Sequence, residues 1–132
     1  VERFTVGQDQ LMDMYLAPFD VLGSLAHIRM LASVGLLPEK EMHLLSEELR
    51  KIYKRIKEGS FRVEEGVEDI HSQVELELTR ILGDAGKKIH SGRSRNDQVL
   101  VDIKLYLRDE IEAIVSEVHT LFDLLLKQAE VH

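Results

Sequence analysis

Apolar residues recur every three or four positions along the last third of the chain, and this repeat restricts the fold more than any other feature. The repeating residues are Val99, Ile103, Leu107, Ile111, Ile114, Val118, Leu121 and Leu125. The spacing predicts one long helix with the seam of a helical bundle, beginning between Ser94 and Asp97 and continuing to the end of the chain. At about 1.5 Å per residue it would be roughly 50 Å long, so its seam needs partners outside the chain.

Three shorter helices are predicted before the long one, so the expected fold class is all-α. The first runs from about Gln8 to Val34, and Pro18 suits a first helical turn and could begin a second segment there. The second opens at Pro38 and reaches about Glu58. The third starts at Asp69, which is a good N-cap residue, and ends before Gly83. We expect a loop from Gly83 to about Ser94.

Composition excludes several classes of protein. The 132 residues carry 24 acidic and 17 basic side chains, for a net charge of −7. So acidic a chain is a poor match for nucleic acid or an anionic membrane, because phosphate binding needs a dense cationic face. No apolar run approaches the roughly 20 residues of a membrane span. The absence of cysteine excludes disulfides and thiolate metal sites and is compatible with the reducing cytoplasm, which is the location we expect.

One segment contrasts with this acidity. Residues 87–96 hold four cations and no acid, and they lead into the N-terminus of the long helix. Free backbone N–H groups and the positive helix dipole would meet two guanidinium groups, Arg93 and Arg95, and the amide of Asn96. Because an arginine fork holds a carboxylate through two hydrogen bonds, and Gly92 permits close backbone approach, the segment could receive a small polycarboxylate.

A structural interpretation of the same segment stays open on spacing alone. Arg93 and Arg95 could instead form salt bridges with acids upstream, while Ser94 caps the helix. The candidate acids are Glu64, Glu65, Glu68 and Asp69.

Three segments, in order, resemble the argininosuccinate lyase family. Residues 92–99 read GRSRNDQV, which matches a segment characteristic of that family without a substitution. Residues 20–27 are similar to its D-[IV]-x-G-S-x-A-H stretch, and residues 68–75 are similar to its E-D-[IV]-H-x-x-x-E stretch. One departure is Tyr15, where the family often has arginine.

The resemblance implies an enzyme that splits argininosuccinate into arginine and fumarate by β-elimination, with no metal or organic cofactor. A base removes a proton from the carbon beside a carboxylate, and donors around that carboxylate stabilise the charge that develops. It also implies an all-α fold in which residues 1–132 form an N-terminal helical segment whose long helix enters the superfamily's central bundle. The full-length enzyme is expected to be a homotetramer.

Five residues receive roles from the resemblance. Arg95 and Asn96 would bind the succinyl carboxylates, and Ser24 would hydrogen-bond the substrate. Arg93, in the same loop, would bind the substrate or be structural. His71 would be catalytic, near the reacting end of the substrate. The structural alternatives are that Ser24 eases helix contact and that His71 is a satisfied structural group.

The family's catalytic serine loop, with its Met-Pro-x-Lys-x-Asn signature, is absent from these 132 residues. We therefore expect the chain to be an N-terminal portion with no activity alone. Three alternatives stay open: another fumarate-releasing lyase of the superfamily, a non-enzymatic relative like the bird lens crystallins, and a helical interaction module.

Overall fold

The computed structural model describes residues 9–131, and every regular element in that range is helical, which confirms the all-α prediction. The elements are α1 (Asp9–Ser33), α2 (Glu39–Lys57), α3 (Ile70–Leu82), α4 (Asp84–Lys87), a 3₁₀ turn (Lys88–His90) and α5 (Arg95–Val131). The predicted start of the first helix at Gln8 and the end of the last helix at His132 lie outside the described residues.

The first helix does not break at its proline. α1 is continuous, and Pro18 lies inside it, so the predicted second segment is wrong. A proline inside a helix removes one backbone hydrogen bond and costs about 3 kcal/mol in an isolated helix. Here Ala17 and Val21, on either side of Pro18, are both fully buried in the core. Burial on both sides of the proline holds the two halves of α1 in one helix.

The core lies between α1, α2 and α3. Its buried residues are Ala17, Val21, Ile28, Leu31, Leu37, Leu45, Leu49, Ile52, Phe61, Ile70, Val74, Leu78 and Ile89. The predicted boundaries hold where sequence signals were strong. Pro38 is the N-cap of α2, and Asp69 caps α3 by accepting a hydrogen bond from the backbone N–H of Ser72.

The segment after Gly83 is more regular than the predicted loop, since it contains α4 and the 3₁₀ turn. Gly86 explains why. A Cβ at this glycine would lie 2.4 Å from the carbonyl carbon of Leu78 and from the backbone nitrogen of Thr79. Only a residue without a side chain lets α4 lie directly on the backbone of α3. This close approach fixes where the following cationic segment begins.

The long helix is present as predicted, starting at Arg95. Its first turns pack against α1, where Phe19 and Tyr106 make an edge-to-face contact with ring centroids 5.9 Å apart. From Leu107 to Val131 every residue is exposed, including the apolar ones. At about 1.5 Å per residue α5 extends far past its neighbours, as the apolar repeat indicated. None of the helices within residues 9–131 is long and apolar enough to cross a membrane.

Candidate active site

The loop between the 3₁₀ turn and α5 is shaped by one glycine and one cap. Gly92 has φ +73°, a left-handed conformation that residues with a Cβ rarely adopt. Ser94 and Asp97 then form a reciprocal cap at the start of α5. The Asp97 carboxylate accepts from the Ser94 backbone N–H at 2.8 Å, and the Ser94 hydroxyl accepts from the Asp97 N–H at 3.3 Å. The capping role weighed for Ser94 is therefore confirmed.

The first arginine of the loop points inward. Arg93 Nη2 donates to the hydroxyl oxygen of Ser24 at 2.9 Å, and Ser24 is fully buried on α1. Burial lowers the pKa of Arg93, although the carboxylates of Asp20 and Asp102 favour its charged form. A second contact ties the loop to α1, since His27 Nε2 lies 2.8 Å from the carbonyl oxygen of Ser91. Arg93 and Ser24 are thus partners of each other.

The second arginine points outward, to the N-terminus of α3. Arg95 Nη2 donates to the Ser72 hydroxyl at 2.9 Å, and Nη1 forms ion pairs with Glu68 at 3.1 Å and with Asp69. The upstream salt bridges weighed for Arg95 are therefore present in this structure. The side chain is still 46% exposed, and Asn96 beside it is exposed as well. Both groups remain accessible from solvent at the helix end.

Beneath this loop lies a buried polar cluster, which we define as Asp20, His71, Gln98 and Asp102. His71 Nδ1 is 2.6 Å from Asp20 Oδ1, and the same oxygen accepts from Gln98 Nε2 at 3.4 Å. Asp102 Oδ2 lies 3.8 Å from His71 Nδ1. Each of the four residues is at most 4% exposed. The cluster joins α1, α3 and α5 under the cationic loop.

Burial and charge act in opposite directions on the titration of the cluster. Burial opposes the charged form of His71, but the hydrogen bond and charge of Asp20, with the charges of Asp102 and Asp69, outweigh it and raise the pKa of His71. Burial and the neighbouring Asp20 carboxylate raise the pKa of Asp102 to about 7, against the opposing effect of His71 and Arg93. Two close carboxylates cannot both ionise cheaply. Burial and the Asp20 carboxylate thus favour the protonated form of Asp102 up to about neutral pH.

The same residues offer metal-ligand atoms. One atom each from Asp20, His71 and Asp102 lie within 4.8 Å of one another, the one such group found among the described residues. However, two ligands bonded at about 2.0–2.2 Å to one ion in a tetrahedral site stand more than about 3 Å apart. The 2.6 Å contact between His71 and Asp20 is instead the length of a charge-assisted hydrogen bond. The arrangement is that of a proton-sharing cluster.

The predicted site residues fall into two adjoining groups. Arg93 and Ser24 contact each other, Arg95 contacts Ser72, and Ser72 follows His71 in the chain. The structure therefore brings the loop to both α1 and α3. His71 itself is only 3% exposed, which leaves little of the ring open to a ligand.

Sequence reasoning missed Asp20, Gln98 and Asp102 as members of the cluster. A signal was present in their spacing. Asp20 precedes Ser24 by four residues, and Gln98 precedes Asp102 by four, so each pair shares one helix face. Two polar pairs on helices that pack together predict a buried polar contact, but only once the pairing of those helices is known.

Comparison with known proteins gives a consistent result. A family model described as a lyase matches residues 3–132. The argininosuccinate lyase of Bacteroides thetaiotaomicron is 61% identical over 130 residues, which are 98% of this chain and 29% of that protein. The argininosuccinate lyase of Phocaeicola vulgatus is 58% identical over 132 residues, 100% of this chain and 30% of that protein. That of Parabacteroides distasonis is 60% identical over 129 residues, 98% of this chain and 29% of that protein. The chain thus spans less than a third of the length of these relatives.

Proposed function

Because this chain belongs to the lyase family, we propose that the full-length protein is an argininosuccinate lyase, which cleaves argininosuccinate into arginine and fumarate by β-elimination. The observation that carries the proposal is the position of the GRSRNDQV segment. It lies at the N-terminus of the longest helix, with Arg95 and Asn96 accessible and with Arg93 bound to Ser24. Identity of about 60% to three argininosuccinate lyases supports the same substrate.

The loop has the chemistry to bind a dicarboxylate. Arg95 already holds carboxylates, since Glu68 and Asp69 pair with it. Glu68 is 71% exposed, so the ion pair that it forms is weak and exchangeable. A succinyl carboxylate that replaces Glu68 would gain the guanidinium fork, the Asn96 amide and the positive end of the α5 dipole. The hydrogen bonds from these donors become stronger as negative charge develops on the carboxylate during proton abstraction.

The remaining roles are those that the family resemblance implies. We propose that Ser24, through its contact with Arg93, fixes the inner side of the substrate pocket and provides a hydroxyl for a substrate hydrogen bond. We propose that His71 contributes the edge of its ring near the reacting end of the substrate. Elimination of this kind requires acid and base groups, and we expect neither a metal nor an organic cofactor.

The exposed part of α5 supports an oligomer in the full-length protein. From Leu107 to Val131 the helix offers a continuous apolar face with no cover from the described residues. A face of this length is typical of helices that pair in bundles. We propose a homotetramer with α5 in a central bundle, in the cytoplasm and serving arginine biosynthesis. We also propose that residues 1–132 alone have no lyase activity.

The direct test is a fumarate-absorbance assay on the full-length protein. We expect turnover of argininosuccinate, and little of adenylosuccinate or malate. Preference for either of these two would support another lyase of the superfamily, whereas no turnover of any would favour a crystallin-like protein.

A substitution tests the loop. We expect Arg95→Ala to lower kcat/KM by about 10²-fold or more, as removal of one preorganised donor does. Arg62→Ala provides a matched control, since Arg62 is exposed and bonds to the carbonyl oxygens of Gly59 and Phe61, in a different loop. Full activity of Arg95→Ala would remove the loop from the active site and favour the helical interaction module.

A further inference from the structure

We propose that Asp20 is a positioning residue that acts through His71, by holding the Nδ1–H tautomer and one orientation of the imidazole ring. The proposal rests on the proposed function, since it assigns His71 to the substrate site. The sequence alone does not predict that Asp20 and His71 form a pair, because they are 51 positions apart.

The geometry supports the tautomer. His71 Nδ1 and Asp20 Oδ1 are 2.6 Å apart, which is the distance of a strong bond to an ionised acceptor. A carboxylate only accepts, so Nδ1 must carry the hydrogen. The other ring nitrogen, Nε2, is then left to accept a proton or hydrogen bond from another group. An aspartate that fixes a histidine in this manner maintains both its tautomer and its charged form.

Two neighbouring residues favour Asp20 as the hydrogen-bond partner of His71. Gln98 Nε2 donates to Asp20 Oδ1 at 3.4 Å, so the accepting oxygen is held from a second helix. Asp102 lies 3.8 Å from His71 Nδ1, which is too far for a hydrogen bond. It approaches the same nitrogen from α5. Asp20, at 2.6 Å, is therefore the carboxylate that hydrogen-bonds to Nδ1.

Three carboxylates of the described residues favour the charged form of His71. Asp20 acts from α1, Asp102 from α5 and Asp69 from the N-terminus of α3 itself, and all three raise the pKa of His71 against the effect of burial. The hydrogen bond of Asp20 is the largest favourable contribution and its charge is the next, and replacing the carboxylate by an amide weakens the first and removes the second. The pKa of His71 should therefore fall in Asp20→Asn, because asparagine keeps the shape and loses the charge.

The experiment uses the full-length protein with ¹⁵N-labelled histidine. Magic-angle-spinning ¹⁵N spectra report which ring nitrogen carries hydrogen, and the spectrum of His71→Gln identifies the His71 signals by difference. In the unsubstituted protein we expect Nδ1 to be protonated at every pH at which the protein is folded. A His71 population with a bare Nδ1 at neutral pH would overturn the proposal, whatever the activity of the enzyme.

Steady-state kinetics of substituted full-length proteins provide the second test. We expect Asp20→Asn to lower kcat by about 10²-fold, with KM changed by no more than about threefold. We also expect the ¹⁵N titration of His71 to move to lower pH. Asp102→Asn should lower kcat by much less at pH 6, where Asp102 already holds its proton. Asp84→Asn, whose side chain is 91% exposed, is the surface control.

Two failures are distinguishable. If the unsubstituted protein does not cleave argininosuccinate, the proposed function fails, while the ¹⁵N spectra still test the tautomer. If it cleaves argininosuccinate and a folded Asp20→Asn protein retains its kcat or the His71 titration, the positioning role fails alone.

Discussion

Asp69 has two partners, and replacing it by asparagine or by alanine separates them. Its Oδ1 accepts from the backbone N–H of Ser72 at 2.8 Å and caps α3, while its Oδ2 pairs with Arg95. Asparagine caps helices about as well as aspartate but carries no charge. Asp69→Asn therefore removes the ion pair and keeps the cap, and Asp69→Ala removes both.

The loss of stability from each change can be estimated from the structure. A lost N-cap costs about 1 kcal/mol. The pair with Arg95 is worth about 0–1 kcal/mol, because the arginine side chain is 46% exposed and water screens the interaction. We thus expect α3 to be destabilised by about 1–2 kcal/mol in Asp69→Ala and by less than about 1 kcal/mol in Asp69→Asn.

Hydrogen exchange of the full-length protein, measured on peptides from the first turns of α3, reports the local stability of that helix in each variant. A loss of about 1–2 kcal/mol corresponds to exchange roughly 5–30 times faster. We expect this acceleration in Asp69→Ala and at most about a fivefold one in Asp69→Asn. KM for argininosuccinate should change alike in both, since both release Arg95. Equal exchange in the two variants would refute the cap, and unequal KM values would refute the shared effect on Arg95.

Three further outcomes are expected for the full-length protein. Gly86→Ala should destabilise it by about 3 kcal/mol or more, seen as a lower Tm, because the added Cβ would overlap the backbone of Leu78; an unchanged Tm would contradict the close approach. Asp102 binds its proton more tightly folded than unfolded, so its contribution to stability is lost as pH rises from about 4 to about 7. Asp102→Asn should therefore gain Tm relative to the unsubstituted protein at pH 8 and lose that advantage at pH 5; a difference that does not depend on pH would contradict the raised pKa. Ile111→Asp with Val118→Asp should reduce the oligomer measured by light scattering, since both are exposed on α5; an unchanged mass would contradict the proposed bundle.

The helices could be predicted because their signals are local. The apolar repeat after Ser94, the cap at Asp69 and the proline at Pro38 each act within a few residues, and the structure confirms all three. Pro18 misled the prediction, since the stabilisation that keeps α1 continuous comes from the burial of its neighbours in the core. Gly86 was missed for a similar reason, because its role depends on the backbone of another helix.

The arrangement of the candidate site could be predicted only in part. The motif identified the loop, and an open alternative correctly included the ion pairs that Arg95 forms at the start of α3. Arg93 points inward and Arg95 points outward, and the sequence could not predict this. Residues at the junction of a loop and a helix have no regular periodicity that would assign their side chains to one face. The pairing of Asp20 with His71 depends on how α1 and α3 approach each other, which no local pattern encodes.

A structure of the full-length protein with argininosuccinate bound is the most direct measurement of the substrate site. We expect Arg95 and Asn96 within hydrogen-bonding distance of a succinyl carboxylate, with Glu68 displaced from the guanidinium. We expect Ser24 and His71, from the same or a neighbouring subunit, to line the same pocket. A substrate bound elsewhere, with Arg95 still paired to Glu68 and Asp69 in every subunit, would contradict the assignment of this loop.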